Sequence, residues 1–285
     1  MSDPQPTTKH RHKCEQQILI QAMPPSLDPR IYTLARFEPV PPATGVALAT
    51  ASTNAKIGGQ EVSFAVPAHA ALCLSLSHKA FQQLQVYPLD RIFTDTGKGV
   101  QVMPGNLTIL FSAFECLLVN TVFAVTALEA YANQSIPEDF VFSKLRQDQK
   151  CKESYDKMQI ERNLSLDLKL SVLLPEILGI PFPKGEQLWN DYKLLRETRD
   201  RIIHVKTADL GIHDREAKSI WAILLDRRNI DASKIAHAVI KIFPQKHDPS
   251  SSPVAAGRNV WVDLYPFTEE HLSKFGQKAK AERHK

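Results

Sequence analysis

An arginine, an aspartate and a histidine lie within six residues of one another and could act together on a phosphate ester. Arg199 carries a guanidinium, which can bind a phosphate through two parallel hydrogen bonds. His204 can gain or lose a proton near neutral pH, as a general acid or base must. Asp200 precedes His204 by four residues, so on a helix its carboxylate could hydrogen-bond to the imidazole and orient it. These residue types predict acid–base chemistry at a bound phosphate.

The helix that must carry these residues is predicted over residues 186–206. At about 100° per residue its apolar side chains fall on one face. They are Leu188, Tyr192, Leu195, Ile202 and Ile203. Arg199 falls in the middle of this stripe, where a guanidinium is costly unless it is paired or lines a cavity. The residues alone leave two interpretations open: Arg199 binds a phosphate, or it pairs with a buried carboxylate while His204 lies beyond the edge of the stripe.

Charge is distributed unevenly along the chain. The formal charge of +4 over 285 residues is carried by the two ends, so the stretch 14–267 is neutral and offers no broad surface for nucleic acid. Five basic residues against Glu197 and Asp200 nevertheless give the window 192–206 a charge of +3. The basic residues are Lys193, Arg196, Arg199, Arg201 and Lys206. This window predicts a local phosphate site.

The sequence is helical in character from residue 107 onward. Asn106 could cap a long apolar helix that ends near residues 135–137, and further helices are predicted at 218–226 and 233–243. Leucines alternate from 164 to 170, which fits a strand, but their neighbours favour a helix, so the sequence leaves both open. In the long helix, Glu115 and Glu129 bracket only 13 uncharged residues. A membrane span needs roughly 20, so we predict a buried core helix and no membrane contact.

Four parts are predicted along the chain. Residues 1–29 are polar and contain prolines, which predicts a flexible tail. Residues 30–106 alternate β-branched stretches with Pro, Gly and Asn, which predicts a small β-rich region, although 68–84 also fit a short helix. A helical domain follows at 107–245. Residues 246–285 predict a linker, a short strand at 259–264 and a helix at 268–282. The predicted fold class is therefore mainly α.

Several kinds of site are disfavoured by missing motifs. The sequence has no GxxxxGK[ST] or GxGxxG loop, no CxxC pair and no HExxH, so we expect neither a nucleotide cofactor nor a metal. The N-terminus has no apolar signal core, which predicts free thiols and a cytoplasmic protein. Cys73 and His78 could form a nucleophile–base pair, but Cys73 lies in an apolar run and is better interpreted as a buried thiol.

Residues 199–204, Arg-Asp-Arg-Ile-Ile-His, resemble the R-[N/D]-x-x-x-H form of the Rx4–6H motif. That motif marks the HEPN superfamily, named for a nucleotide-binding domain of higher eukaryotes and prokaryotes. Residues 127–133 look like the first long helix of that family. Residues 161–169, followed by 173–175, resemble its middle segment in some subfamilies. The resemblance covers about 107–240.

The resemblance implies an up-and-down bundle of four or more helices and a metal-independent endoribonuclease without a cofactor. It implies a homodimer in which two motif helices form one composite site on the RNA substrate. His204 would activate the ribose 2′-hydroxyl or protonate the leaving oxygen, and Arg199 would stabilise the phosphorane-like transition state. Asp200 would take the polar second position of the motif. The products would carry a 2′,3′-cyclic phosphate.

Weaker implications concern accessory groups and biological setting. Glu129, Lys169 and Arg201 are accessory candidates; a helix-surface acid and a solvated lysine are equally good interpretations of the first two. HEPN ribonucleases usually occur in antiviral defence and toxin–antitoxin systems, so an antitoxin or defence protein is a candidate partner. Some members have lost catalysis, so the alternative is a non-catalytic HEPN-like module that binds RNA or a protein.

Overall fold

Helices make up most of the described structure, which is a computed structural model. It describes residues 18–22, 28, 30–31, 33–37, 47–97, 99–145, 152–181, 186–205, 209, 219–243 and 260–267. The α-helices are α1 (His69–Leu84), α2 (Leu107–Ser135), α3 (Lys157–Asn163), α4 (Leu166–Leu168), α5 (Leu174–Leu178), α6 (Gln187–Ile203), α7 (Ile220–Asp226) and α8 (Ala232–Ile242). The predicted mainly α class is confirmed.

The alternating leucines after residue 163 are helical. A π-helical turn, Lys169–Leu173, joins α4 to α5, and Gly179 ends α5 in the left-handed conformation with φ of 64°. Leu166, Leu170, Leu173 and Leu174 are buried. That spacing of four, three and one residues fits one face of a helix rather than alternate faces of a strand. The leucines therefore secure this segment to the core.

The long apolar helix α2 packs against α1, α6, α7 and α8. Its side chains at Leu117, Ala124, Leu128 and Tyr131 are buried in the protein. By length and composition alone, residues 104–135 could also cross a membrane. One such helix is weak support for a membrane span, because the core helix of a soluble protein passes the same test.

Helix α1 lies within the region 30–106 and packs into the same apolar core as the helices that follow. Its small buried residues Ala70, Ala71 and Cys73 allow a close approach to α2, and Leu74 lies in the same apolar cluster as Leu128. Residues 68–84, for which the sequence allowed a helix, are thus helical, and the region 30–106 is not β-rich throughout. Helix α1, which is 16 residues long, thus adds to the helical core that the sequence predicted to begin only at residue 107.

Antiparallel strands precede and follow α1. They are β1 (Ile18–Ala22), β2 (Thr33–Phe37), β3 (Ala47–Ile57), β4 (Gln60–Ala65), β5 (Phe93–Asp95) and β6 (Val100–Val102). β3 pairs with β1, β2 and β4, and the β3–β4 hairpin turns through Gly58 and Gly59, both at positive φ. Because β1 pairs with β3, residues 18–22 do not belong to a loose tail. The tail prediction was wrong there because it followed composition, whereas strand pairing is a long-range contact.

A buried polar network joins α1, α8 and the C-terminal part. Nδ1 of His78 lies 3.0 Å from Oδ2 of Asp231, the residue that caps the N-terminus of α8. Oδ1 of Asp231 accepts hydrogen bonds from the backbone N–H of Ser233, at 3.1 Å, and from its hydroxyl. The Ser233 hydroxyl also bonds to the phenol of Tyr265. We call these four residues the Asp231 network.

Residues 260–264 form a 3₁₀-helix, so the predicted strand at 259–264 was wrong. The consecutive side chains of Trp261 and Val262 are both buried. The predicted helix at 268–282 and the predicted linker lie outside the described residues. Residues 142–163 contain two strands and α3, which the sequence did not predict; β7 (Phe142–Leu145) and β8 (Lys152–Tyr155) pair with each other.

Candidate functional site

The candidate residues lie at the C-terminal end of α6. This helix begins at Gln187 and ends at Ile203, close to the predicted range. Tyr192 and Leu195 pack in the cluster that holds Leu128, whereas Ile202 packs in the cluster that holds Leu117. Helix α6 therefore runs antiparallel to α2, and its candidate residues lie beside the N-terminal half of α2.

The predicted apolar stripe of α6 is confirmed except at its end. Tyr192 and Leu195 are buried, whereas Ile203 is 51% exposed. Thr198 occupies a buried position instead: its hydroxyl donates to the carbonyl of Leu194 and accepts a 2.9 Å hydrogen bond from Arg227, which directly follows α7. The hydroxyl of Thr198 can therefore be buried next to the apolar stripe, because Arg227 hydrogen-bonds to it.

Arg199 is half-buried and contacts the neighbouring carboxylate. Its Nε lies 3.3 Å from Oδ1 of Asp200, without the geometry of a hydrogen bond. Nε of Arg196 approaches the other oxygen, Oδ2, at 4.0 Å. Asp200 thus lies between two arginines. The terminal nitrogens of Arg199 make no ion pair with any described residue, so they can bind a phosphate.

His204 does not pair with the carboxylate of Asp200. The backbone of His204, with φ of −114° and ψ of 65°, has left the helix, so its side chain no longer has the i,i+4 relation to Asp200. The two residues are joined only through the backbone, where the N–H of His204 donates to the carbonyl of Asp200 at 2.9 Å. The side chain of His204 is exposed and bonds to no described residue. The predicted orienting role of Asp200 is therefore absent from this conformation.

Arg201 holds the end of α6 to the start of α7. Its guanidinium pairs with Asp209, whose carboxylate is fully buried and also accepts a 2.9 Å hydrogen bond from the backbone N–H of Ile220. Arg201 is thus committed to a contact within the chain rather than to a substrate. The sequence did not single out Asp209, because an isolated acid gives no signal of burial.

A second arginine of the +3 window is also paired. Asp167 of α4 accepts a 2.6 Å hydrogen bond from the hydroxyl of Tyr192 and pairs with Arg196. Burial and the adjacent Asp167 carboxylate raise the pKa of the Tyr192 phenol above its usual range, so it stays protonated and donates. Carboxylates thus neutralise much of the predicted positive charge, which leaves Arg199 as the arginine with free terminal nitrogens in the described part of this window.

The accessory candidates Glu129 and Lys169 lie on α2 and on the π-helical turn between α4 and α5. Lys169 is 1% exposed, and its Nζ donates 2.9 Å hydrogen bonds to the side chain of Asn133 and the carbonyl of Glu161. Burial lowers the pKa of Lys169, while the charges of Glu129 and Glu161 oppose that shift. No described hydrogen bond or ion pair links Glu129 or Lys169 to Arg199 or to His204. Lys169 is thus a buried structural cation, and the solvated lysine considered from the sequence is excluded.

Two other kinds of site have no support in the described part of the chain. Burial raises the pKa of the Cys73 thiol to about 11, and His78 bonds to Asp231 rather than to this cysteine. A thiol held protonated at neutral pH is a poor nucleophile. Among the described residues, no group of three or more His, Cys, Asp or Glu side chains is placed to hold a metal ion.

Comparison with known proteins does not assign the chain to a family. No family model matches it. No curated protein and no solved structure is significantly similar to it.

Proposed function

We propose that this protein is a metal-independent endoribonuclease of the HEPN type, with Arg199 and His204 as its catalytic residues. The observation that carries the proposal is the exposed His204 imidazole, which follows Arg199 by five residues and bonds to no described residue. A general acid or base must be free to reach the substrate, and an arginine with unused terminal nitrogens can bind the phosphate next to it.

The chemistry follows from these two side chains. The imidazole of His204 takes the proton of a ribose 2′-hydroxyl, or gives a proton to the 5′-oxygen that leaves. The 2′-oxygen attacks the adjacent phosphorus, the bond to the 5′-oxygen breaks, and a 2′,3′-cyclic phosphate results. Arg199 stabilises the extra negative charge of the phosphorane-like transition state. Asp200 sets the direction of the Arg199 side chain rather than that of the imidazole.

Exposed apolar side chains beside His204 support a composite site. Ile203 is 51% exposed and Val205 is 56% exposed, on either side of the histidine. Apolar residues that flank a polar catalytic group are typical of a surface covered by a partner. We propose that a second copy of the chain covers this surface in a two-fold dimer, within an up-and-down helical bundle of the HEPN type. The setting would be cytoplasmic, in antiviral defence or with an antitoxin.

A cleavage assay on RNA in the presence of a chelator tests this function. We expect the purified chain to cut a single-stranded RNA without metal, and Arg199→Ala and His204→Ala each to abolish cutting while the protein stays folded. His69→Ala and Arg162→Ala are matched controls, because both side chains are exposed and lie outside α6. Cleavage that survives both catalytic changes, or that needs a divalent metal, would contradict the proposal.

One observation favours a second candidate, a non-catalytic module that binds RNA or a protein. Asp200 faces Arg196 and Arg199 instead of His204, so nothing described orients the imidazole for proton transfer. This candidate predicts that the protein shifts RNA or a partner on a gel and leaves the RNA intact after long incubation. Growth arrest on expression, relieved by His204→Ala, would favour the ribonuclease instead.

A further inference from the structure

A cavity of about 400 Å³ lies between the segment that follows α1 and the turn that joins α7 to α8. Residues 84–91 line one side, and Arg228 and Asn229 line the other. This volume is in the range of small-molecule sites. No residue of the Arg199 and His204 site lines this cavity, so a ligand here would be additional to an RNA substrate.

Two arginines from separate parts of the chain are among the residues that line this cavity. Arg91 follows α1, and Arg228 follows α7. Nη1 of Arg228 donates to the carbonyl of Leu225 at 3.3 Å, and Nη2 donates to Oδ1 of Asp90 at 3.1 Å. The Asp90 side chain is 86% exposed, so this ion pair is weak and an anion with more charge can replace it. The cavity is thus suited to a phosphate group.

The remaining lining residues suit a ring with polar substituents. Tyr87 is half-buried and offers an aromatic surface, while Gln85 and Asn229 carry amides that can both donate and accept hydrogen bonds. We propose that this cavity binds a small phosphate monoester with an aromatic or heterocyclic body. Arg91 and Arg228 bind its phosphate, and Tyr87 contacts its ring.

Calorimetric titration of the full chain tests this site, with adenosine monophosphate as the probe. Inorganic phosphate and adenosine each carry one half of the proposed ligand and should bind more weakly than the probe. Arg91→Ala and Arg228→Ala should each weaken binding of the probe about ten- to a hundredfold, since each removes a charge-assisted contact. Arg162→Ala, which removes an exposed arginine outside the cavity, should leave binding unchanged.

Asp90→Asn changes affinity in the opposite direction and separates binding from folding. Removing the carboxylate frees Arg228 and takes a negative charge out of the cavity, so the probe should bind several-fold more tightly. A variant that merely folded poorly could not show this gain. Three results would each overturn the proposal. They are no binding at millimolar probe, binding by Arg91→Ala or Arg228→Ala that is as tight as that of the unchanged protein, and weaker binding by Asp90→Asn than by the unchanged protein. None of these results depends on RNA cleavage.

Discussion

Replacing Asp231 by alanine should destabilise the fold strongly, because this carboxylate joins three parts of the chain. It caps α8, bonds to His78 of α1 and reaches Tyr265 through Ser233. Its side chain is 4% exposed and that of His78 is 12% exposed, so water cannot replace the lost contacts well. The change therefore removes a cap and leaves buried polar groups without a partner.

The size of the effect can be estimated from these contacts. Loss of an aspartate cap costs about 1 kcal/mol. Loss of the buried bonds to His78 and to the Ser233 hydroxyl costs about 1 to 1.5 kcal/mol each. Asp231→Ala should therefore lower the free energy of unfolding by about 3 to 4 kcal/mol. Asp231→Asn keeps an acceptor for the cap and should cost about half as much.

Urea unfolding at neutral pH, followed by circular dichroism, measures these differences. Asp139→Ala is a matched control, because that aspartate is exposed and a change there should stay within about 0.5 kcal/mol. Burial raises the pKa of Asp231, but hydrogen bonds from His78 and Ser233 outweigh it, so its folded-state pKa lies below 3.8. The stability it contributes is therefore complete above that pH and is lost as the pH falls through the lower, folded-state pKa. A loss of less than 1 kcal/mol for Asp231→Ala would refute the reasoning.

Three further predictions concern contacts that position the helices. Asp209→Ala should cost about 2 to 3 kcal/mol in urea unfolding, because it leaves the backbone N–H of Ile220 buried without a partner; a cost near zero would contradict this. Lys169→Met should cost about 1 to 2 kcal/mol in the same assay, because the partly buried oxygens of Asn133 and Glu161 lose their donor, and an unchanged midpoint would count against it. Burial lowers the pKa of His237, and Lys241 lowers it further, although the Val262 carbonyl and Asp263 oppose the shift. Stability should therefore fall as the pH drops below 6.5, and His237→Gln should show a smaller fall between pH 7 and 5 in urea midpoints; equal slopes would contradict the assignment.

The spacing of apolar residues predicted α6, the helix that carries the candidate site, and this success has a physical cause. The apolar residues of α6 recur every three or four positions because one face of that helix is buried against α2. The same signal was ambiguous at residues 68–84, where small residues such as Ala70 and Cys73 replace the large aliphatic ones. Small residues let α1 approach α2 closely, but they carry little hydrophobic signal.

The contacts around the candidate site could not be predicted in this way. Asp167 and Asp209 pair with arginines of α6 from separate segments, and no local pattern reports such a distant partner. The relation of Asp200 to His204 depended on whether α6 included residue 204. Because the helix ends at Ile203, a correct residue spacing led to a side-chain pair that does not form.

The most direct test of the proposed function is the chemical identity of the RNA ends produced without metal. A labelled oligoribonucleotide is incubated with the chain in excess chelator, and the products are analysed by mass spectrometry. We predict 2′,3′-cyclic phosphate ends, formed by the wild-type chain and not by His204→Ala or Arg199→Ala, and no cut where the attacking ribose is replaced by deoxyribose. Intact RNA, 3′-hydroxyl ends, or cyclic ends from the His204→Ala protein would contradict it.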